Sequence, residues 1–210
     1  MASKLGSAVA VDTRRRSPTQ RRSIERVERI LACAAALIAE RGSDQMKMSD
    51  VAAMAGISIG SLYQYFPERS AIVHALAERL SAASRACIES ALLPVRDLDA
   101  LGDAFSRLVD QYYAVFLSEP VMRDIWSATQ ADKRLQEIEL AESRASGKLL
   151  ADILVCLRPR DDAAELAASA FLVWQLGEAT MRLAISLSRE EGDAVVAAYK
   201  RMALRELLGA

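Results

Sequence analysis

Few side chains in this chain have a type and spacing that could do chemistry. The single histidine, His74, falls in the run AIVHAL, and one imidazole builds no metal site alone. Cys33, Cys87 and Cys156 lie far apart on apolar helical stretches without a Cys-x-x-Cys spacing, so they read as buried thiols rather than ligands. There is no Gly-rich phosphate loop, and the carboxylates fall mainly on solvated faces and at helix starts. No catalytic residue, metal site or cofactor is therefore expected. Recognition by shape and hydrogen bonding remains, and SDVAAMAGISIGSLYQYFPER, Ser49 to Arg69, suits it. Two very short helices joined by a tight turn and stopped by a proline have a shape that can enter a groove.

Within that stretch Ser49 stands where a helix N-cap belongs, and Val51, Ala52 and Ala55 give a small apolar face. Gly56 can take the positive φ that follows a helix end, and Ile57 plugs the turn. Ser58 offers a second N-cap, for Ile59 to Phe66. Pro67 forbids simple continuation of that helix and fits the first turn of the next.

The elements that must position this pair follow from composition. With 210 residues, 52% hydrophobic and 26% charged, the chain can bury a sizeable core. Proline and glycine are few, at 5 and 9, and apolar residues recur at three- and four-residue steps, so the expected class is all-α. No apolar run reaches the roughly 18 residues of a membrane span, and no apolar segment follows the N-terminal arginines. A cytoplasmic location without membrane association is expected. Net charge is −1, yet residues 1–70 carry +4 and residues 71–210 carry −5. A basic head on an acidic body is the layout of a chain whose first third meets phosphates.

The pattern predicts nine helices. Residues 1–22, with the run RRRSPTQRR, read as a disordered basic arm, either a solvated tail or a segment that reaches DNA. Helices are predicted over 23–41, over the short pair, and over 68–90, which Leu92-Leu93-Pro94 breaks. The body follows with 97–117, a short helix through Trp126, then 132–157, 161–187 and 191–208.

The segment RVERILACAAALIAERGSDQMKMSDVAAMAGISIGSLYQYFPERSAIVHAL, and above all AGISIGSLYQYF with a basic residue three positions on, resembles the DNA-binding domain of TetR-type transcriptional regulators. The resemblance covers about Arg26 to Leu80; the rest shares only length and helical character. It implies a helix-turn-helix domain over 23–70 and a ligand-binding and dimerisation domain over 71–210. Ile59 to Phe66 would be the recognition helix in the major groove of double-stranded DNA. Ile59, Gly60, Ser61, Gln64 and Tyr65 would then lie toward DNA, and Leu62 and Phe66 toward the core. The Gln64 amide can donate and accept at adenine. Tyr63 and Tyr65 can donate hydroxyls to phosphate, and Ser58 can meet one at the helix N-terminus. Arg69 holds the place of the family's usual lysine. Lys47 stands where many members have a capping threonine, which shifts the cap to Ser49 and leaves Lys47 for phosphate; Ser70 replaces a frequent glutamate.

Helix 161–187 is apolar nearly all round and needs cover on more than one side. The resemblance implies that the last two helices of each chain form a four-helix homodimer interface. Leu166, Ala170, Val173, Leu176, Gly177, Met181 and Ala184 would give one half, and Val195, Val196, Tyr199, Met202 and Leu207 the other. Aromatic residues concentrate in the body, so Tyr112, Tyr113, Phe116, Trp126, Phe171 and Trp174 either pack as core or wall a pocket for a small apolar or aromatic effector. Arg123, Gln175 and Glu178 would orient such a molecule. The reading is a dimeric regulator, a repressor released by its effector from a palindromic operator. The alternatives are a helical protein-interaction module and an all-α enzyme without DNA binding.

Overall fold

Short polar side chains set most of the helix starts. Ser58, Asp97, Asp132, Asp162 and Ser188 each accept hydrogen bonds from backbone N–H groups two or three residues on, satisfying donors that the first turn of a helix leaves without carbonyl partners. The computed structural model describes residues 18–128 and 132–209. Its helices are α1 (Pro18–Arg41), α2 (Met48–Ala55), α3 (Ile59–Tyr65), α4 (Arg69–Leu92), α5 (Leu98–Ser118), α6 (Pro120–Ala128), α7 (Lys133–Leu157), α8 (Ala163–Ser186) and α9 (Arg189–Leu208). Among the described residues there is no strand, in line with the all-α expectation. No helix among them is long and apolar enough to cross a membrane.

Several boundaries differ from expectation by a residue or more, three of them for a local reason. Helix α1 starts at Pro18, inside the predicted arm, because proline is preorganised for a first helical position and Arg21 pairs with Glu25 one turn on, at 3.0 Å. The remainder of the arm, residues 1–17, lies outside the described residues. Helix α2 starts at Met48 with Lys47 as an N-cap that makes no side-chain cap bond. Ser49 is therefore inside the helix, where its hydroxyl bonds Asp50 at 3.2 Å, and the expected Ser49 cap is corrected. Helix α9 starts ahead of the predicted 191, because Ser188 and Glu191 form a capping box. The cysteines also divide: Cys33 and Cys87 are half-buried, whereas Cys156 is exposed.

Two apolar cores hold these helices. The first gathers Ile30 and Leu37 of α1, Val51 of α2, Leu62 of α3 and Ile72 and Leu76 of α4, and is completed by Ile125 of α6 and Leu135 of α7. The second gathers Phe105 and Phe116 of α5, Leu150 and Leu154 of α7, Val173 and Met181 of α8, and Tyr199 and Leu207 of α9. Helix α4 runs from one into the other, with Leu80 packed against both. Leu80 is half-buried, and through it α4 connects the two cores.

Helix α8 is squeezed between two neighbours. A Cβ on Gly147 of α7 would lie 2.9 Å from Phe171 Cα, and one on Gly177 would lie 2.8 Å from the Tyr199 hydroxyl. That hydroxyl donates to the Val173 carbonyl at 2.7 Å. The faces assigned to a partner subunit therefore divide. Leu166, Ala170, Val173, Gly177, Met181 and Ala184 of α8, with Val196, Tyr199 and Leu207 of α9, are buried by their own chain. Left exposed are Leu172, Leu176, Leu183 and Leu187 along the α8 side and Met202 on α9, the last 66% accessible.

Candidate nucleic-acid interface and effector cavity

The α2–α3 turn is built from backbone hydrogen bonds that only a left-handed residue can close. Gly56 has φ 65, its N–H reaches the Ala53 carbonyl at 3.2 Å, and the Ile57 N–H reaches the Ala52 carbonyl at 3.0 Å. Ser58 then accepts from the Ser61 N–H at 3.1 Å, which fixes where α3 begins. Leu62 is fully buried and Phe66 nearly so, and these two pin α3 onto the first core. Periodicity turns the opposite side outward: Ser58, Ile59, Gly60, Tyr63 and Gln64 are exposed, with Tyr63 49% accessible. A Cβ on Gly60 would meet nothing within 4 Å, so the backbone here is bare.

Tyr65 is half-buried against the first core, and Ser61 is half-buried as well. Lys47 and Ser49 are exposed at the start of α2. Arg69 is exposed at the start of α4, but its guanidinium donates to the Asp44 carbonyl and lies 3.8 Å from the Asp44 carboxylate. It thus braces the loop between α1 and α2 while remaining at the surface.

The second site is a cavity of about 270 Å³ in the body. Helix α4 lines it with Leu80, Ser84, Cys87 and Ile88, α5 with Phe105, Leu108 and Tyr112, and α6 with Met122 and Ile125. Helix α7 adds Ile138, Glu139 and Ser143, and α8 adds Trp174, Glu178 and Met181. Its walls are mostly apolar with a few polar groups, the makeup of a small-molecule site. The Tyr112 hydroxyl meets Glu178 Oε1 at 3.3 Å. Burial, reinforced by the nearby charge of Glu139, pushes the Glu178 carboxyl up to about 8, so that it is largely protonated at neutral pH. Burial, followed by Glu178, pushes the Tyr112 hydroxyl well above its ordinary range.

Helix α6 belongs to both regions. Met122 and Ile125 line the cavity, while Ile125 also sits in the first core. Between them, Asp124 accepts from the Ser43 N–H at 3.0 Å, at the loop that follows α1. Gly42, with φ 83, brings that loop so near that a Cβ would lie 3.2 Å from the Asp124 carboxylate. A second link joins α4 to α7, where the His74 ring bonds Asp132 at 2.8 Å. That bond is the main reason the Asp132 carboxyl is held below its ordinary value.

Comparison with known proteins matches both regions. Residues 30–76 match the bacterial regulatory proteins of the tetR family, and residues 99–209 match the tetracyclin repressor-like C-terminal domain. The chain belongs to the TetR family. Membership places it among regulators rather than enzymes. An uncharacterized HTH-type transcriptional regulator of Bacillus subtilis (strain 168), YvdT, is 40% identical over 53 residues. That match spans 25% of this chain and 27% of YvdT, about a quarter of the relative's length. Among solved structures, a transcriptional regulator from Streptomyces coelicolor A3(2) superposes with TM-score 0.67 at 21% identity, covering 85% of this chain and 98% of that one. A TetR-family regulator from Mesorhizobium loti MAFF303099 does so with TM-score 0.65 at 16% identity, over 89% and 95%. RolR in complex with resorcinol gives TM-score 0.62 at 18% identity, again over 89% and 95%. At these identities the likeness is one of fold.

Within this TetR-family fold the sequence-predicted body residues are scattered. Tyr112, Trp174 and Glu178 line the cavity. Phe116 backs it, its ring 5.0 Å from that of Tyr112. Tyr113 turns the other way, under the Arg189 guanidinium at 5.4 Å and against Gly192. Phe171 packs where α8 crosses Gly147. Gln175 is half-buried and Arg123 exposed, both away from the lining, and the side chain of Trp126 lies outside the described residues. The contributions of α4 and α7 to the cavity were missed. The signal on α7 was Ser143 and Ser146, small residues three apart in a charged helix and both buried.

Proposed function

We propose that this TetR-family chain is a homodimeric, cytoplasmic repressor that leaves a palindromic operator when a small apolar or aromatic effector fills the body cavity. The observation that carries the reading is the double membership of α6, whose Ile125 belongs to the cavity wall and to the core beneath the recognition helix. An effector that prefers one position of α6 over another biases the Asp124–Ser43 joint, and its differential affinity sets the size of the response. DNA contact would fall to the outward residues of α3, with Gln64 at base edges and Tyr63, Ser58 and Lys47 at phosphates. Two copies of α3 would enter successive major grooves about 34–36 Å apart. The exposed stripe Leu172, Leu176, Leu183 and Leu187, with Met202 beside it, supports pairing through α8 and α9. RolR with resorcinol shows that a protein of this fold can hold a small aromatic molecule.

The test is a gel shift with the DNA upstream of the chain's own reading frame. Binding should fall steeply with salt, since phosphate contacts release counterions, and should be lost in Tyr63→Ala and Gln64→Ala. Unaltered binding in both variants would reject α3 as the reading helix. Leu176→Glu should convert the dimer to a monomer in sedimentation, and with it abolish the shift.

A further inference from the structure

The carboxyl groups around the cavity outnumber the guanidiniums paired to them. Glu139, Glu142 and Glu178 approach it from α7 and α8, and among the described residues two guanidiniums are hydrogen-bonded to them. Arg85 of α4 is committed to Glu142 through two hydrogen bonds, one at 3.0 Å, and Arg182 donates to Glu139 at 2.8 Å. Glu178 is the carboxyl left over. Its Oε1 meets only the Tyr112 hydroxyl, and its Oε2 is buried with no hydrogen-bond partner. Two further buried polar atoms of the lining, Trp174 Nε1 and Ser143 Oγ, are also without partners. A buried polar atom left unpaired costs free energy that a ligand with the complementary group recovers.

Around Glu178 stand aromatic faces, with the Trp174 and Phe105 rings 6.3 Å apart and tilted by 61°, and Tyr112 on the adjoining wall. Aromatic faces and an unbalanced carboxyl attract the same kind of ligand, a positive charge on an apolar frame. An anion finds no guanidinium here that is not already paired to a carboxylate. A neutral molecule can hydrogen-bond the Glu178 carboxyl but forms no ion pair with it. We infer that the cavity takes an organic cation, a molecule with an aromatic body and one ammonium group that pairs with Glu178. The inference deepens the effector-release reading above and rests on it. The N–H of Trp174 is left for an acceptor atom on the body of the same molecule.

The proton on Glu178 gives the inference a pH signature. Burial and Glu139 hold that carboxyl up to about 8. A bound ammonium favours the ionised form, so binding expels the proton and the affinity for a cation rises with pH up to that value, then levels. The other groups facing Glu178 are Arg85 from α4, Tyr112 from α5, Glu139 and Glu142 from α7, Arg182 from α8 and Tyr199 from α9. Burial raises both tyrosine hydroxyls, which keep their protons throughout, and the two carboxylates are held in ion pairs.

Three probes of one shape test the class on the full chain: naphthylmethylamine, naphthylmethanol and naphthoate, followed by calorimetry and by quenching of Trp fluorescence. The amine should bind about tenfold tighter than the alcohol or better, and naphthoate weakest. Amine affinity should rise by up to about tenfold per unit from about pH 6 to about pH 8, the limit for one proton released. Glu178→Gln should erase both the preference and the pH dependence at an unchanged melting temperature, and Glu178→Asp should keep the preference. Equal or tighter binding of the alcohol or naphthoate, an unchanged amine affinity in Glu178→Gln, or binding of no probe would overturn the cation assignment. A neutral probe that binds and releases operator DNA would overturn the assignment alone, leaving the regulator reading intact. An amine that binds through Glu178 yet leaves DNA binding unaltered would overturn the release reading instead.

Discussion

The outward face of α3 and the interior of the body cavity use similar side chains in opposite surroundings. On α3, Tyr63 and Gln64 stand in water beside the bare backbone of Gly60. In the cavity, Tyr112 and Glu178 are half-buried and bonded to each other. Water satisfies the first pair whatever else they do, so their identity is free to serve a partner. The second pair are costly to bury, which is why the Glu178 carboxyl keeps its proton. Substitutions on the outward face of α3 should therefore separate binding from stability, while substitutions at the packed joints of the body should not.

Removing the anchor beneath α3 should have the largest effect. Leu62 is fully buried, and Leu62→Ala is expected to lower stability by roughly 2–5 kcal/mol in denaturant unfolding. Gln64→Ala, two residues away on the exposed side, should stay within about 0.5 kcal/mol of the parent while losing operator affinity. If the two variants lose stability equally, the division of α3 into an anchored and a free face is wrong.

The body supplies the next effect in size. Gly192 lies one turn into α9, where an added Cβ would sit 2.6 Å from the Ala184 carbonyl and 2.7 Å from the Tyr113 hydroxyl. Gly192→Ala should cost about 1–3 kcal/mol by overpacking, seen as a lower melting temperature. Because α9 would have to shift against α8, the exposed stripe around Leu183 should lose register, and the proposed dimer should weaken in sedimentation at equal protein concentration. A melting temperature at or above the parent value would mean that the α8–α9 corner is slack, and that the stripe is not held by it.

The contrast also explains what the sequence disclosed. Ser58 and Gly56 act on residues within three or four positions of themselves, and their roles were legible because such contacts are written in adjacent letters. The cap of α2 was less so: Lys47 and Ser49 are both near enough to start the helix, and packing of Met46 and Val51 into the first core decides between them. Helix rotation was harder still. Tyr112 and Tyr113 are neighbours in sequence, and nothing local says which faces the cavity; α9 decides, by taking Tyr113 against Gly192. On α8 the apolar residues surround the axis, so periodicity could not separate the face covered by α7 and α9 from the face left open. The cavity walls from α4 and α7 were missed because attention to aromatic residues favours α5 and α8.

Cap loss at α3 should be a smaller effect with a mixed outcome. The Ser58 hydroxyl accepts from the Ser61 N–H at 3.1 Å, so Ser58→Ala should cost about 1 kcal/mol of stability. If Ser58 also donates to phosphate, affinity should fall further than the stability change explains, and the salt slope should flatten by about one.

The smallest change in stability is expected at Gly60, and there it should carry the opposite sign. An alanine Cβ at this position meets nothing in the chain within 4 Å, and alanine is favoured over glycine in a helix by roughly 0.5–1 kcal/mol. Gly60→Ala should therefore raise the melting temperature slightly. If α3 lies against base edges or phosphates, the same methyl group stands between backbone and DNA, and operator binding should weaken by about tenfold, roughly one displaced contact. A variant that is more stable but binds less well could not be explained by damage to the fold. A variant that is more stable and binds as before would mean that the bare backbone at Gly60 faces water in the complex, and the reading face would then have to be sought around Lys47 and Ser49 at the start of α2.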